Sequence, residues 1–308
     1  MTKTKKKLFI LPDIEDIQYF KIEHENIKSE NDANNKKREH IIYSMPYIDK
    51  HYFNDEVYGN DWKKLKYKFD ESLKAICSSY FSYKVKHMAG RKNNFDFIVI
   101  FYNSDSQKIQ ENKLEFKYNA SCVDEAPQFV SPMKPSQYLS SSFEEYWFDN
   151  YLNTLFEKFG FVMPEKTTYL KEIHKDKPNC MKEPQLLYYQ GTTKSSKYTG
   201  DKTAIDFCEE AKRLSNECIA NFINNTDLDT EKISKYLLKS QDSKIYLLYK
   251  NENFNIQSKN NDDYIIESYT KNPDKYRYEA VTKSQKKMNI LLRWKNGNGI
   301  AFPAFQIS

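Results

Sequence analysis

The sequence predicts an α/β fold, a central sheet flanked by helices, on three observations. Apolar residues recur at steps of three and four from Leu65 to Tyr83, as an amphipathic helix requires. The same spacing returns across 143–160. Between them, FDFIVIFY at 95–102 and LEFKY at 114–118 are short runs rich in Ile, Val, Phe and Tyr, bracketing a polar stretch. With 39% hydrophobic and 30% charged residues among 308 the chain is lean, so its 15% of aromatic residues must supply much of the buried area.

Taken in order, 1–60 reads as a peripheral N-terminal segment. Its stretch KIEHENIKSENDANNKKREHI at 21–41 suits a solvated helix or a loop. The core spans 61–170. Its first helix carries Leu65, Phe69, Leu73, Ile76, Tyr80 and Tyr83 on one face and stops at Gly90. The two strands at 95–102 and 114–118 pair most simply as an antiparallel hairpin, with NSDSQKIQEN as the turn. A proline-punctuated loop, PQFVSPMKP, leads to the helix FEEYWFDNYLNTLFEKFG, whose Tyr146, Trp147, Tyr151, Leu155 and Phe159 share a face and which ends on Gly160. In the C-terminal part, 171–308, polar loops precede a helix capped by Asp201 or Thr203, with Phe207, Ala211, Leu214, Cys218 and Phe222 on its core face. A strand follows at 244–250, then a polar stretch through Asp263, then a closing hairpin around Asn296-Gly297-Asn298-Gly299.

Composition excludes several functions. Forty-eight basic against 43 acidic residues give a net charge of +5, which permits contact with nucleic acid without demanding it. The wealth of Lys, Asn, Ile and Tyr beside only seven Gly reflects AT-rich coding, so lysine abundance is not itself a DNA signal. Five cysteines with no CxxC pair fit a reduced, cytoplasmic setting and disfavour zinc. The opening MTKTKKKLFILP has too short an apolar run for a signal peptide, and no stretch is long enough for a membrane helix. The five histidines show no metal or hydrolase spacing, and neither GxSxG nor a GxxxxGK[ST] loop is present.

Chemistry concentrates where a plain core strand would carry no charge. Glu115 and Lys117 project to one face of their strand while Leu114, Phe116 and Tyr118 point to the other. If the strand at 95–102 pairs alongside, Asp96 comes near Glu115, and two carboxylates that close repel unless a cation lies between them. Mg2+ answers that need, since it takes oxygen ligands from one or two carboxylates, waters and substrate phosphate. It acidifies a bound water and polarises a phosphoryl oxygen, and Lys117 would stabilise the charge that develops. Glu-x-Lys also occurs at Glu111–Lys113 and Glu210–Lys212, so its setting singles out the 115 copy. A charged outer face on an edge strand is the plainer alternative.

An Asp on one strand, then Glu-x-Lys on the next, following a helix, resembles the PD-(D/E)XK nuclease superfamily, and its type II restriction endonucleases in particular; FDFIVIFY and LEFKYNA carry the likeness. Phe95 stands where the family name has proline. The resemblance covers roughly residues 65–160 and implies a restriction endonuclease-like core with a mixed sheet. By it, Asp96 and Glu115 would bind Mg2+ with the Phe116 carbonyl, and Lys117 would assist the attacking water. It offers Glu71, on the preceding helix, as an accessory acid, although a solvated helix charge explains that residue too. Gln128 is a second accessory candidate.

DNA contacts are expected from the basic cluster before Asp96, of which Lys86, Arg91 and Lys92 are the candidates, and from the terminal hairpin through Arg293, Lys295, Asn296 and Asn298. Charge at a helix end and ordinary Asn-Gly turn chemistry are the plain readings of the two groups. The expectation is a Mg2+-dependent endonuclease of double-stranded DNA, a sequence-specific restriction enzyme acting as a homodimer, with its methyltransferase on a separate protein. A structure-selective repair or recombination nuclease, or a non-catalytic DNA-binding protein on the same scaffold, is the alternative.

Overall fold

The computed structural model describes residues 10–22, 28–88, 93–125, 134–173, 175, 179–294 and 303–307. The expected turn of the terminal hairpin, with Lys295, Asn296 and Asn298, lies outside these residues, as do Gly90, Arg91, Lys92 and Gln128. The chain is mixed α/β and forms two compact units. One comprises Met1–Ala126 with Gln241–Lys259, and the other Pro127–Ser240 with Asn260–Ser308.

The first unit is built on a five-stranded mixed sheet whose strands lie side by side in chain order: β1 (Ser82–His87), β2 (Phe97–Tyr102), β3 (Lys108–Tyr118), β4 (Lys244–Lys250) and β5 (Asn253–Ser258). All neighbours are antiparallel except β3 and β4, which run parallel with Glu115 opposite Tyr246 and Lys117 opposite Leu248. A parallel pair needs a long crossover. Here that crossover carries most of the second unit, so two strands separated by more than a hundred residues of sequence sit side by side.

One sheet face is apolar. Val85, Phe97, Val99, Phe101, Leu114, Phe116, Leu247 and Tyr249 join a core with Trp62, Leu65, Phe69 and Leu73 of helix α2 (Gly59–Lys74). Helix α1 (Lys28–Ser44) is polar over most of its length, and its last turns bury Arg38, Ile41 and Ile42. Arg38 is buried without being orphaned: it donates to Tyr19 O at 2.6 Å and Ile22 O at 2.9 Å, and stacks 3.5 Å over the Tyr118 ring. The N-terminal stretch expected to be peripheral therefore supplies core, with Ile17, Phe20, Ile41, Ile42 and Met45 all buried in it.

Three further expectations change. The helix from Leu65 ends at Lys74, and Tyr83 lies on strand β1. The turn between β2 and β3 shrinks to Asn103–Gln107, where Asn103 Oδ1 accepts the amides of Asp105 and Gln107, so β3 begins at Lys108 rather than Leu114. The polar stretch after 250 contains β5.

The second unit holds a four-stranded antiparallel sheet, β6 (Ile266–Asn272), β7 (Arg277–Thr282), β8 (Lys287–Trp294) and β9 (Pro303–Ile307). The β8–β9 pair is the expected terminal hairpin. The 143–160 helix forms as read, through Phe143–Tyr146, a π-helical turn at Trp147–Leu152 and Asn153–Phe159, and ends on Gly160 at φ +70°. Asp201 caps the helix Lys202–Asn225 by accepting the Ala204 amide at 2.9 Å, and Phe207, Ala211, Cys218 and Phe222 are buried. The stretch expected to be polar loops ahead of that helix contains a helix of its own, Lys182–Gln190. No helix among the described residues is long and apolar enough to cross a membrane.

Candidate active site

Strand alternation places the charges. Because Leu114 and Phe116 enter the core, Glu115 and Lys117 occupy the opposite face of the sheet, with Ile98 and Ile100 of β2, and Lys244, Tyr246 and Leu248 of β4. On β1 the same parity puts the exposed Lys84 and Lys86 on that face, opposite Ile100 and Ile98.

Asp96 immediately precedes β2 and is held by both neighbouring strands. Its amide donates to Leu114 O at 3.0 Å, and its carbonyl accepts from Met88 N at 2.7 Å. Its carboxylate Oδ2 accepts the Phe116 amide at 2.9 Å. The expected proximity of Asp96 and Glu115 is present. Burial, and next the negative charge of Glu115, push the Asp96 carboxyl up to about 7, against the pull of the Phe116 amide.

Glu115 is gripped by two ammonium groups. Lys117 Nζ lies 2.7 Å from Oε1, and Lys244 Nζ lies 3.3 Å from Oε2. Lys244 also donates to Asn94 O at 2.8 Å, on the turn that carries Asp96, and its Nζ lies 5.1 Å from the centre of the Tyr246 ring. Burial lowers the pKa of Lys244, and Glu115 opposes that shift. The role of this lysine depends on β4 lying against β3, a non-local pairing that no local motif announces.

A third acid comes from α1. Glu39 adds to the negative field on Asp96, and its Oε2 lies 3.4 Å from His87 Nε2, the ring of which stands 5.5 Å from Phe97 and 5.9 Å from Tyr43. Glu71, the accessory acid expected on the preceding helix, instead pairs with Lys74 at 2.6 Å on the exposed side of α2. Glu39 sits in a run of charged and amide residues that masks it in the sequence, where the adjacent apolar pair Ile41 and Ile42 is the one local sign that this end of the run turns into the core.

Among the described residues no three His, Cys, Asp or Glu side chains are grouped so as to hold a metal ion. The donors that converge are two carboxylates, Asp96 and Glu115. That set fits a hard, largely hydrated cation such as Mg2+ and does not fit a structural zinc site.

The other expected DNA contacts divide. Lys86 is exposed on the site face of β1. Arg293 belongs to the second unit, where it is half-buried and bonds Gln306 across β8 and β9. All five cysteines are free. No protein-family model matches the chain, and no curated protein sequence matches it.

Proposed function

We propose that the first unit is a Mg2+-dependent endonuclease of double-stranded DNA, akin to the type II restriction enzymes of the PD-(D/E)XK superfamily. The observation that carries the reading is the convergence of Asp96, Glu115 and Lys117 on one face at the adjoining ends of β2 and β3. The mixed sheet with helix α2 ahead of it supports a restriction endonuclease-like core. A solvated edge face accounts for it less well. The charged residues lie on a central strand, and Glu115 is only 14% exposed.

In this reading Asp96 and Glu115 hold the ion. Bound there, a divalent cation polarises a phosphoryl oxygen and makes water more acidic. Lys117, 25% exposed against 7% for Lys244, is the lysine free to leave Glu115 and meet the attacking water and the charge growing on the phosphate. The Phe116 amide fixes one oxygen of Asp96, leaving the other for the ion. Lys84 and Lys86 extend the same face toward the DNA backbone. A symmetric recognition sequence would call for a homodimer, and protection of host DNA for a separate methyltransferase.

The test is digestion of linear phage and plasmid DNA with and without Mg2+. Discrete fragments with common ends, formed only with the metal, are expected. Metal-dependent cutting confined to branched or flapped DNA would move the enzyme to repair or recombination, and intact DNA under every condition would remove the nuclease reading.

A further inference from the structure

Lys244 stands apart from the three residues that the motif supplies. It enters from a distant part of the chain, on the only parallel neighbour of β3, and is buried at 7% exposure beside a carboxylate. Two of its three donors have fixed acceptors, Glu115 Oε2 at 3.3 Å and Asn94 O at 2.8 Å, and the second of these is backbone. Among the described residues Lys117 is tied through Glu115 Oε1, and it is more than three times as exposed. The two lysines thus divide the Glu115 carboxylate, one on a movable tether and one on a fixed mount.

We propose that the Lys244 ammonium takes the place a second divalent cation would occupy, so that the site accepts a single metal ion between Asp96 and Glu115. This rests on the metal-dependent reading above. Sites with two metals set the ions about 3.5–4 Å apart and need carboxylate oxygens facing both. Here one oxygen of Asp96 is committed to the Phe116 amide and one oxygen of Glu115 to Lys244. One oxygen of each remains once Lys117 moves away. Among the described residues, the other acid that acts on Asp96, Glu39, is engaged with His87. A compact ammonium is suited to the task because it is a point charge with several donors.

The fixed positive charge should also oppose the ion it stands beside. Removing it while keeping the fold should tighten binding of the single ion by about tenfold or more, since like charges this close repel strongly in a partly buried site.

Mn2+ serves as the probe, in the full-length protein without DNA. Calorimetry and electron paramagnetic resonance count and describe the ions, and sites retained by Glu115→Gln are subtracted as non-specific. The wild type is expected to bind one Mn2+ per chain with the six-line spectrum of an isolated ion. Lys244→Met and Lys244→Gln, both neutral, should bind it at least tenfold more tightly, and Lys244→Arg, which keeps the charge, should match the wild type. Two ions per chain, or an exchange-coupled spectrum in the wild type, would overturn the proposal. So would neutral variants with unchanged or weaker affinity, or an arginine variant that tightens as much as they do; each of these leaves the nuclease reading standing. A wild-type protein that binds no Mn2+ at this site would remove both.

Discussion

Glu115 and Asp96 share one face at the ends of β3 and β2, and burial, with the charge of the first added to it, holds the carboxyl of the second at about 7. An unfolded aspartate ionises near 3.9. Between those two values only the folded chain keeps the proton, so the stability that protonated Asp96 contributes is fully present below about pH 4 and is lost as pH rises through 7. Relative to Asp96→Asn, whose amide cannot ionise, metal-free wild-type protein should lose thermal stability between pH 5 and pH 8. Adding Ca2+ at pH 8 should restore it. A difference in melting temperature that stays flat across that range, with and without Ca2+, would show that the two carboxylates do not interact as described.

Glu39 and Glu71 make opposite predictions. Glu39 acts on Asp96 from α1 and Glu71 does not reach it in this way, its partner being Lys74. Groups that surround a metal site typically contribute 10–100-fold to activity or affinity. Glu39→Gln should therefore slow DNA cleavage by about tenfold or more and lower the pKa of Asp96, read by carboxyl-carbon NMR. Glu71→Gln should leave both at wild-type values. The reverse pattern would return the accessory role to the helix immediately preceding the sheet.

Lys86 tests the DNA-facing side. It is exposed, on an edge strand, and on the same face as Glu115. If it meets a phosphate, Lys86→Ala should weaken binding equally for all sequences and reduce the slope of log affinity against log salt by about 0.9. Fluorescence anisotropy in Ca2+, which holds a Mg2+ nuclease uncut, provides the measurement. A salt slope unchanged from wild type would place the DNA elsewhere.

How far these features could be read from the sequence depended on how local they are. Asp96 beside Glu115 was legible because the apolar runs are separated by a short turn, and alternation then decides the faces. Strand β1 was read as helix because Tyr80 and Tyr83 suit the helical step that begins at Leu65; Val85 between Lys84 and Lys86 was the alternation that argued otherwise. Strands β5 and β6, NFNIQS and IESYTKN, carry too many polar residues to stand out. Lys244 lay in a strand that was recognised, yet its pairing with β3 spans the chain and only tertiary structure brings its ammonium to Glu115.

The central claim is that Asp96, Glu115 and Lys117 form a metal-dependent site for phosphodiester hydrolysis, and the most direct test is the single-turnover rate at which supercoiled plasmid is nicked and linearised in Mg2+. Wild-type protein should cut in Mg2+ and stop in EDTA, while Glu115→Ala and Lys117→Ala, both folded and both still binding DNA, should be slower by about a thousandfold or more, the loss of roughly 4 kcal/mol of transition-state stabilisation. Folded variants that cut within a few-fold of wild type would contradict the account and leave the charged face of β3 a solvated surface.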